Sequence, residues 1–286
     1  MSGFEGLVLE VDNLMKRLEV GMEEKKKKLI SLLESYGSAA VALSGGVDSM
    51  TLARAAYMAL GDRAVAVTAA SELLSEEERR DARAGAEAVG IRHVILEADD
   101  LALQEIRRND RERCYFCKRH RMEKMLSWAK QAGFAVVADG SNVSDRSDYR
   151  PGARALQELG IRSPLAECGF NKEDIRKLAK EWGLAVWDKP SAACLASRVA
   201  YGLELTPERL QRIDMAETFL RELGVKGQLR VRDHGDLARI EVAEEAFGLV
   251  AEQRAGIAGR LKELGFAYVT LDMTGYRMGS QNISLP

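Results

Sequence analysis

Long apolar runs are absent from this 286-residue chain: nothing approaches the roughly 18 consecutive apolar residues that a membrane-spanning helix needs. Net charge is almost absent too, with 42 basic against 44 acidic residues and a pI near 6.1. That balance removes any general electrostatic attraction to nucleic acid, and a nucleic-acid partner is not expected. Basic residues are lacking where a signal peptide would carry them: Met1–Arg17 has acids there (Glu5, Glu10, Asp12) and its basic residues only at its end, which predicts a cytoplasmic protein. Cysteine is scarce, at four (Cys114, Cys117, Cys168, Cys194), and in a reducing compartment these suit ligands or reactive thiols better than disulfides. Only five prolines interrupt the chain, so continuous helices and short connections are expected. What is present, 46% hydrophobic and 30% charged residues, excludes a disordered polyelectrolyte and supplies one large core or two.

Apolar periodicity alternates between strand and helix along the first 200 residues. A helix over 23–35 precedes a buried strand at 39–43, and helical spacing resumes over 48–60. Strand 64–69, helix 75–89, strand 92–97, helix 118–131 and strand 134–138 repeat the order, which predicts α/β architecture with a parallel sheet covered on both faces. Lys25–Lys28 reads as the solvated face of the first helix. Asn171 caps a helix over 172–182. Beyond Tyr201-Gly202 the character changes. Thr206-Pro207 starts a helix to 223, strands 228–232 and 237–242 form a hairpin about His234-Gly235-Asp236, and a long helix over 244–264 leads to a strand at 267–272. A domain boundary is therefore expected near residue 202, with an α/β domain at 1–202 and a smaller α+β domain at 203–286.

Between the first strand and its helix lies Ser44-Gly45-Gly46-Val47-Asp48-Ser49. Glycines there let backbone N–H groups converge on an anion, and a helix N-terminus adds favourable partial charge. Asp48 faces a polyphosphate only if a cation lies between, and Mg2+ would supply it. The string lacks the Gly-Lys-Ser/Thr ending of a Walker A loop and is no dinucleotide fingerprint. It matches the SGGxDS signature of the PP-loop ATP pyrophosphatases, which implies ATP binding, cleavage between the α- and β-phosphates, and adenylation of an oxygen nucleophile. Thr68 and Ala69 end the second strand at the same sheet edge, and Asp139-Gly140-Ser141-Asn142 ends the fourth. The resemblance places adenine near Thr68 and Ala69.

Arg113-Cys114-Tyr115-Phe116-Cys117-Lys118 sets a C-x-x-C pair in a polar loop entering a helix, where Arg113, Lys118 and Arg119 are expected to lower the thiol pKa values. Cys194 is a third candidate, and Cys168 reads as a spectator. The pair alone could be half of a zinc site, a redox dithiol or chance; with Cys194 the set would hold an iron–sulfur cluster with one open iron, leave Cys194 alone as nucleophile or sulfur donor, or be three structurally unrelated cysteines.

With these residues assembled, the chain resembles the LarE family nearly end to end. The resemblance runs through Ser44–Ser49, Arg113–Lys118, Asp139–Asn142 with Asp148–Gly152, Arg162–Leu165, Trp187–Pro190, Ala193–Arg198, Arg230-Val231-Arg232 and Ala238–Val242. LarE proteins are ATP-dependent sulfur transferases of nickel-pincer nucleotide biosynthesis. The resemblance implies adenylation of both carboxylates of pyridinium-3,5-biscarboxylic acid mononucleotide, then displacement of AMP by sulfur to leave thiocarboxylates. One branch sacrifices a lone cysteine matching Cys194; the other holds a 4Fe-4S cluster on that cysteine and a C-x-x-C pair. With Cys114, Cys117 and Cys194 all present, this chain looks like the cluster branch. The resemblance also suggests that Arg230 and Arg232, two apart on one strand face, bind the substrate phosphate, against the alternative of a solvated basic face. Glu217 resembles a family acid, although a surface helix position is the plainer expectation, and Trp182 and Trp187 are read as packing residues. A homo-oligomer is expected; the sulfide source is not legible. The rivals are a PP-loop tRNA thiolation enzyme, an ammonia-dependent synthetase of the NAD or GMP kind, and a non-catalytic nucleotide or sulfur carrier.

Overall fold

The computed structural model describes residues 21–147, 151–190 and 193–277. Asp148, Tyr149 and Arg150 of the family resemblance, Ser191 and Ala192, and the first 20 residues lie outside the described residues.

A helix α1 at 21–35 leads to β1 (Ala39–Ala42), α2 (Val47–Leu60), β2 (Ala64–Ala70), α3 (Glu76–Val89), β3 (Arg92–Glu97), the short α4 (Gln104–Arg107), α5 (Arg113–Gln131) and β4 (Val136–Ala138). Helices α6 (Pro151–Glu158), α7 (Pro164–Glu167) and α8 (Lys172–Glu181) complete this part. The four strands form one parallel sheet in the order β3-β2-β1-β4, with Ala39 opposite both Ala64 and Val136. β1 and β2 are nearly pure Ala and Val because helices cover both faces. On one face Met50, Leu52, Ala53 and Ala56 of α2 pack with Phe170 and with Ile175 and Leu178 of α8; on the other, Met122, Met125 and Ala129 of α5 meet Val65 and Val67. The chain steps outward from β1 to β2 and β3, then returns to place β4 on the far side of β1. Strand order thus reverses at β1/β4, and the crevice at such a reversal is where open α/β sheets take ligands.

After Arg198, α9 (Pro207–Glu222) precedes β5 (Leu229–Asp233), β6 (Leu237–Val242), α10 (Phe247–Glu252), α11 (Arg254–Glu263) and β7 (Tyr268–Leu271). β5 and β6 pair antiparallel, and β7 joins β6 in parallel. Leu229, Val231, Ile240 and Val242 face a core closed by Leu220, Val250, Ile257 and Leu261. Arg230, Arg232 and Glu241 alternate to the opposite face, which is buried as well.

Three expectations need correction. The helix expected over 244–264 is broken: a 3-10 turn at Glu244–Ala246, then α10, then α11, with Gln253 (φ −86°, ψ 10°) outside helical geometry. Val250 and Ile257, on either side of the break, both reach the core, and Gly248, Gly256 and Gly259 lower the helical preference of the stretch. Helix α5 begins at Arg113, so the C-x-x-C pair lies in its first turns and not in a loop. The lysine run is only partly a solvated face, since Lys25 pairs with Asp174 and Lys26 with Glu23 and Glu181. The capping signals carried through: Asn171 forms a capping box with Asp174, and Thr206 caps α9.

Candidate active site

The glycine loop is shaped for an anion. Gly45 lies at φ 76°, which L side chains rarely adopt, and a Cβ there would sit 3.0 Å from the Ala82 backbone nitrogen. Gly46 precedes α2 in extended geometry and supplies no side-chain cap, so the first-turn N–H groups of a 14-residue helix point at the loop. Ser49 Oγ fixes the turn, donating to Gly46 O (3.1 Å) and accepting from Ser44 N (3.2 Å). Gly140 lets the strand β4 edge close on this turn: a Cβ there would come 2.8 Å from Ser49 N and 3.0 Å from Asp48 C.

Two cavities flank the loop and share Ser44, Gly46 and Asp48 as walls. One, about 410 Å³, is lined by Thr68, Ala69, Met122, Met125, Asp139 and Gly140 among others; the apolar methionine side suits a planar base. Thr68 Oγ1 donates to Leu43 O (2.8 Å) and shares a 2.8 Å hydrogen bond with His93 Nε2. The other cavity, about 340 Å³, adds Val47, Glu78, Asp81, Asn142, Lys172 and Lys189. Asp139 is a buried organiser: it accepts from Ser141 N and Oγ and from Ser163 Oγ (2.7 Å), and pairs with Lys118 (3.3 Å). Asn142 is buried and accepts from Ser144 N. Lys172 pairs with Asp48, and Lys189 with Asp81 and Glu77.

The cysteines fall into two groups. Cys168 is buried in the core beside α8, while Cys114, Cys117 and Cys194 gather around two arginines. Arg113, itself buried, reaches Cys114 Sγ (3.7 Å) and the Ala196 carbonyl (2.9 Å). The Cys117 thiol donates to Asp100 Oδ2 (3.9 Å), which Arg121 Nε also holds at 2.9 Å. Burial pushes the Cys117 thiol up to about 12, with Arg121 opposing, so the expected lowering by neighbouring cations is overturned at that position. Among the described residues no three His, Cys, Asp or Glu side chains are close enough to share a single metal ion. Thiol donors beside two guanidiniums do fit an anionic iron–sulfur group, which spreads its thiolate ligands more widely than one ion does.

Beyond the loop a third cavity of about 810 Å³ is lined by Lys189, Ala193, Arg198, Glu217, Arg221 and Arg230 among others. Glu217 is no surface residue: its side chain is 15% exposed, it takes two hydrogen bonds from Arg198 (both 3.0 Å), and it accepts from Val231 N (2.9 Å). Arg198 in turn donates to the carbonyls of Ala193 and Cys194, so the Glu217–Arg198 pair holds the Cys194 backbone. Arg230 and Arg232 are both buried, which removes the solvated-face alternative, and they differ in role. Arg232 is clamped by Glu241 (2.9 and 2.8 Å) and donates to Ser197 O. Arg230 opens on the cavity and lies 5.3 Å over Tyr276; among the described residues no carboxylate pairs with it. Burial, then repulsion from Arg198, lowers its pKa from the ordinary value, an arrangement an anion would relieve. Trp182 packs on the core, but Trp187 is 37% exposed beneath Lys180, contrary to its reading as a packing residue.

Lys172, Asp100 and Arg121 were not singled out from sequence, and Lys189 was seen only inside a longer string. Each is a common residue type whose place is set by residues distant in the chain.

Residues 22–149 match the NAD synthase family. An uncharacterized protein of Synechocystis is 42% identical over 91% of this chain and 98% of its own length. The pyridinium-3,5-bisthiocarboxylic acid mononucleotide synthase of Lactiplantibacillus plantarum is 39% identical over 91% of this chain and 95% of its own. A tRNA-specific 2-thiouridylase of Methylobacterium is 30% identical, over only 53% of this chain and 50% of its own. Similarity at that level over nine-tenths of the chain, on an ATP-binding PP-loop fold, establishes that the chain belongs to the LarE family of pyridinium-3,5-bisthiocarboxylic acid mononucleotide synthases.

Proposed function

We propose that the protein adenylates the carboxylates of pyridinium-3,5-biscarboxylic acid mononucleotide with ATP and replaces the activated oxygens by sulfur. One observation carries the reading: the glycine-loop cavity and the 810 Å³ cavity share Glu78, Lys189 and Pro190 as a common wall, beside Ala193 and the Cys194 segment. A nucleotide triphosphate on one side and a phosphorylated carboxylate on the other would meet there. ATP would sit with its base toward Thr68 and Ala69 and its phosphates on Ser44–Ser49; Asp48 would hold Mg2+, which neutralises phosphate charge. Arg230 would take the substrate phosphate, with Arg232 braced by Glu241. Adenylation is needed because a free carboxylate would have to expel oxide, whereas the acyl-adenylate expels AMP. Cys114, Cys117 and Cys194 would hold a 4Fe-4S cluster, whose chemistry is to supply an exchangeable sulfide. On this reading residues 1–202 form the nucleotide domain, residues 203–286 the substrate-phosphate domain, and the enzyme works as a homo-oligomer.

The test is anaerobic: protein, Mg-ATP and sulfide, with and without the dicarboxylate mononucleotide. AMP release that depends on substrate, with one sulfur-for-oxygen exchange per carboxylate by mass, is expected. Multiple turnovers with Cys194 intact select the cluster route; conversion of Cys194 to dehydroalanine selects sacrifice. Absence of substrate-dependent AMP would sink the reading, and AMP release with unmodified tRNA would replace it.

A further inference from the structure

Among the cations near the glycine loop, position separates one from the rest. Lys172 lines only the cavity beside the loop, and Arg198 and Arg230 line only the larger cavity; Lys189 lines both. Its backbone is anchored, its N–H donating to Val186 O (3.1 Å) and its carbonyl accepting from Arg176 Nη2 (3.1 Å). Its ammonium is held only by partly exposed groups: it pairs with Asp81, with Glu77 3.8 Å away, and none of the three side chains is buried. Asp81 lies directly over the loop, since a Cβ on Gly45 would be 3.3 Å from the Asp81 Cβ. Glu78 lines the same wall. Asp81 and Glu78 on that wall repel an incoming polyphosphate, and an ion pair whose side chains are 28% and 31% exposed is weak enough to be exchanged for a phosphate oxygen. A lysine's flexible stem lets the ammonium move while its Cα stays fixed.

We propose that Lys189 is a catalytic residue of adenylation, its ammonium passing from Asp81 to the α-phosphate of ATP at the junction of the two cavities, a role that rests on the functional reading above. A substrate carboxylate oxygen forms the new bond to the α-phosphorus, the bond from that phosphorus to the bridging oxygen breaks, and pyrophosphate leaves with the electron pair. Lys189 keeps its proton throughout. It hydrogen-bonds a non-bridging α-phosphate oxygen and draws the substrate carboxylate to the same charge, so its contribution is greatest as the attacking oxygen closes on phosphorus.

The experiment compares wild type with K189M, K189R and D81N. In single-turnover AMP and pyrophosphate release with the dicarboxylate mononucleotide, K189M is expected to slow by about 100-fold or more, the scale for losing one transition-state donor. Its equilibrium affinity for Mg-ATP changes by only a few-fold, and K189R recovers part of the rate. D81N, by releasing the ammonium, tightens Mg-ATP binding. A second readout needs no substrate: acetylation of Lys189, followed by mass spectrometry, is slowed by α,β-methylene-ATP with Mg2+. Wild-type adenylation by K189M, equal losses of ATP binding and rate, or acetylation of Lys189 that ignores the nucleotide would each overturn the assignment. Failure of wild type to form AMP with this substrate overturns the functional reading instead, and the acetylation result then judges contact between Lys189 and ATP.

Discussion

Replacing Glu217 by Gln tests whether the cysteine segment is held from helix α9. The Glu217 carboxylate takes two hydrogen bonds from Arg198 and a third from Val231 N, and the two side chains are only 15% and 7% exposed. Removing one partner of a buried pair costs about 3–5 kcal/mol, because the surviving charge stays desolvated. Gln keeps an oxygen for Val231 N, and Glu217 retains some water, which puts the expected loss near the lower bound, about 3 kcal/mol. At roughly 2–4 °C per kcal/mol for chains of this size, the unfolding midpoint should fall by about 6–12 °C. Sulfur transfer should fall further than stability at a temperature where the variant is folded, since Arg198 also binds the Ala193 and Cys194 carbonyls. Thermal and urea unfolding of E217Q, R198M and the double variant give the coupling between the two side chains. A coupling under about 1 kcal/mol, with sulfur transfer at the wild-type rate, would refute the argument.

Gly140→Ala should drive α2 away from the strand β4 edge, because both nearest obstacles to its Cβ are backbone atoms of Asp48 and Ser49. A loss of about 1–3 kcal/mol and weaker ATP binding are expected in urea unfolding and nucleotide titration. Gly248→Ala, with open space around its Cβ inside α10, should be neutral or slightly stabilising. Burial, followed by Arg83 for His93 and Arg239 for His234, holds both histidines below their ordinary pKa. The unfolded chain then binds their protons first, so their contribution to stability is complete above about pH 6.5 and declines below it. Urea midpoints at pH 7.5 and 5.5 should differ less in H93Q/H234Q than in wild type; an unchanged difference would contradict this.

Local chemistry made much of the molecule legible from sequence. The Ala-Val strands announced burial on both faces, Ser44–Ser49 announced a glycine turn into a helix, and Asn171 and Thr206 announced helix starts, because strand burial, glycine conformation and capping act within a few residues. The order of motifs along the chain likewise carried the family. Tertiary structure decided the rest. Whether Arg230 and Arg232 face water or protein, which of them Glu241 occupies, and that Glu217 reaches Arg198 all depend on the second sheet packing its charged face against 193–200. The acidity expected of the C-x-x-C pair was overturned at Cys117 for the same reason. Neighbouring cations can be read from spacing, but desolvation depends on what covers a thiol, and Cys117 packs against an apolar cluster whose members include residues as distant as Leu73 and Leu195. Lys189 became conspicuous only when two cavities proved to share it, since burial and field at a point are sums over every segment that folds around it.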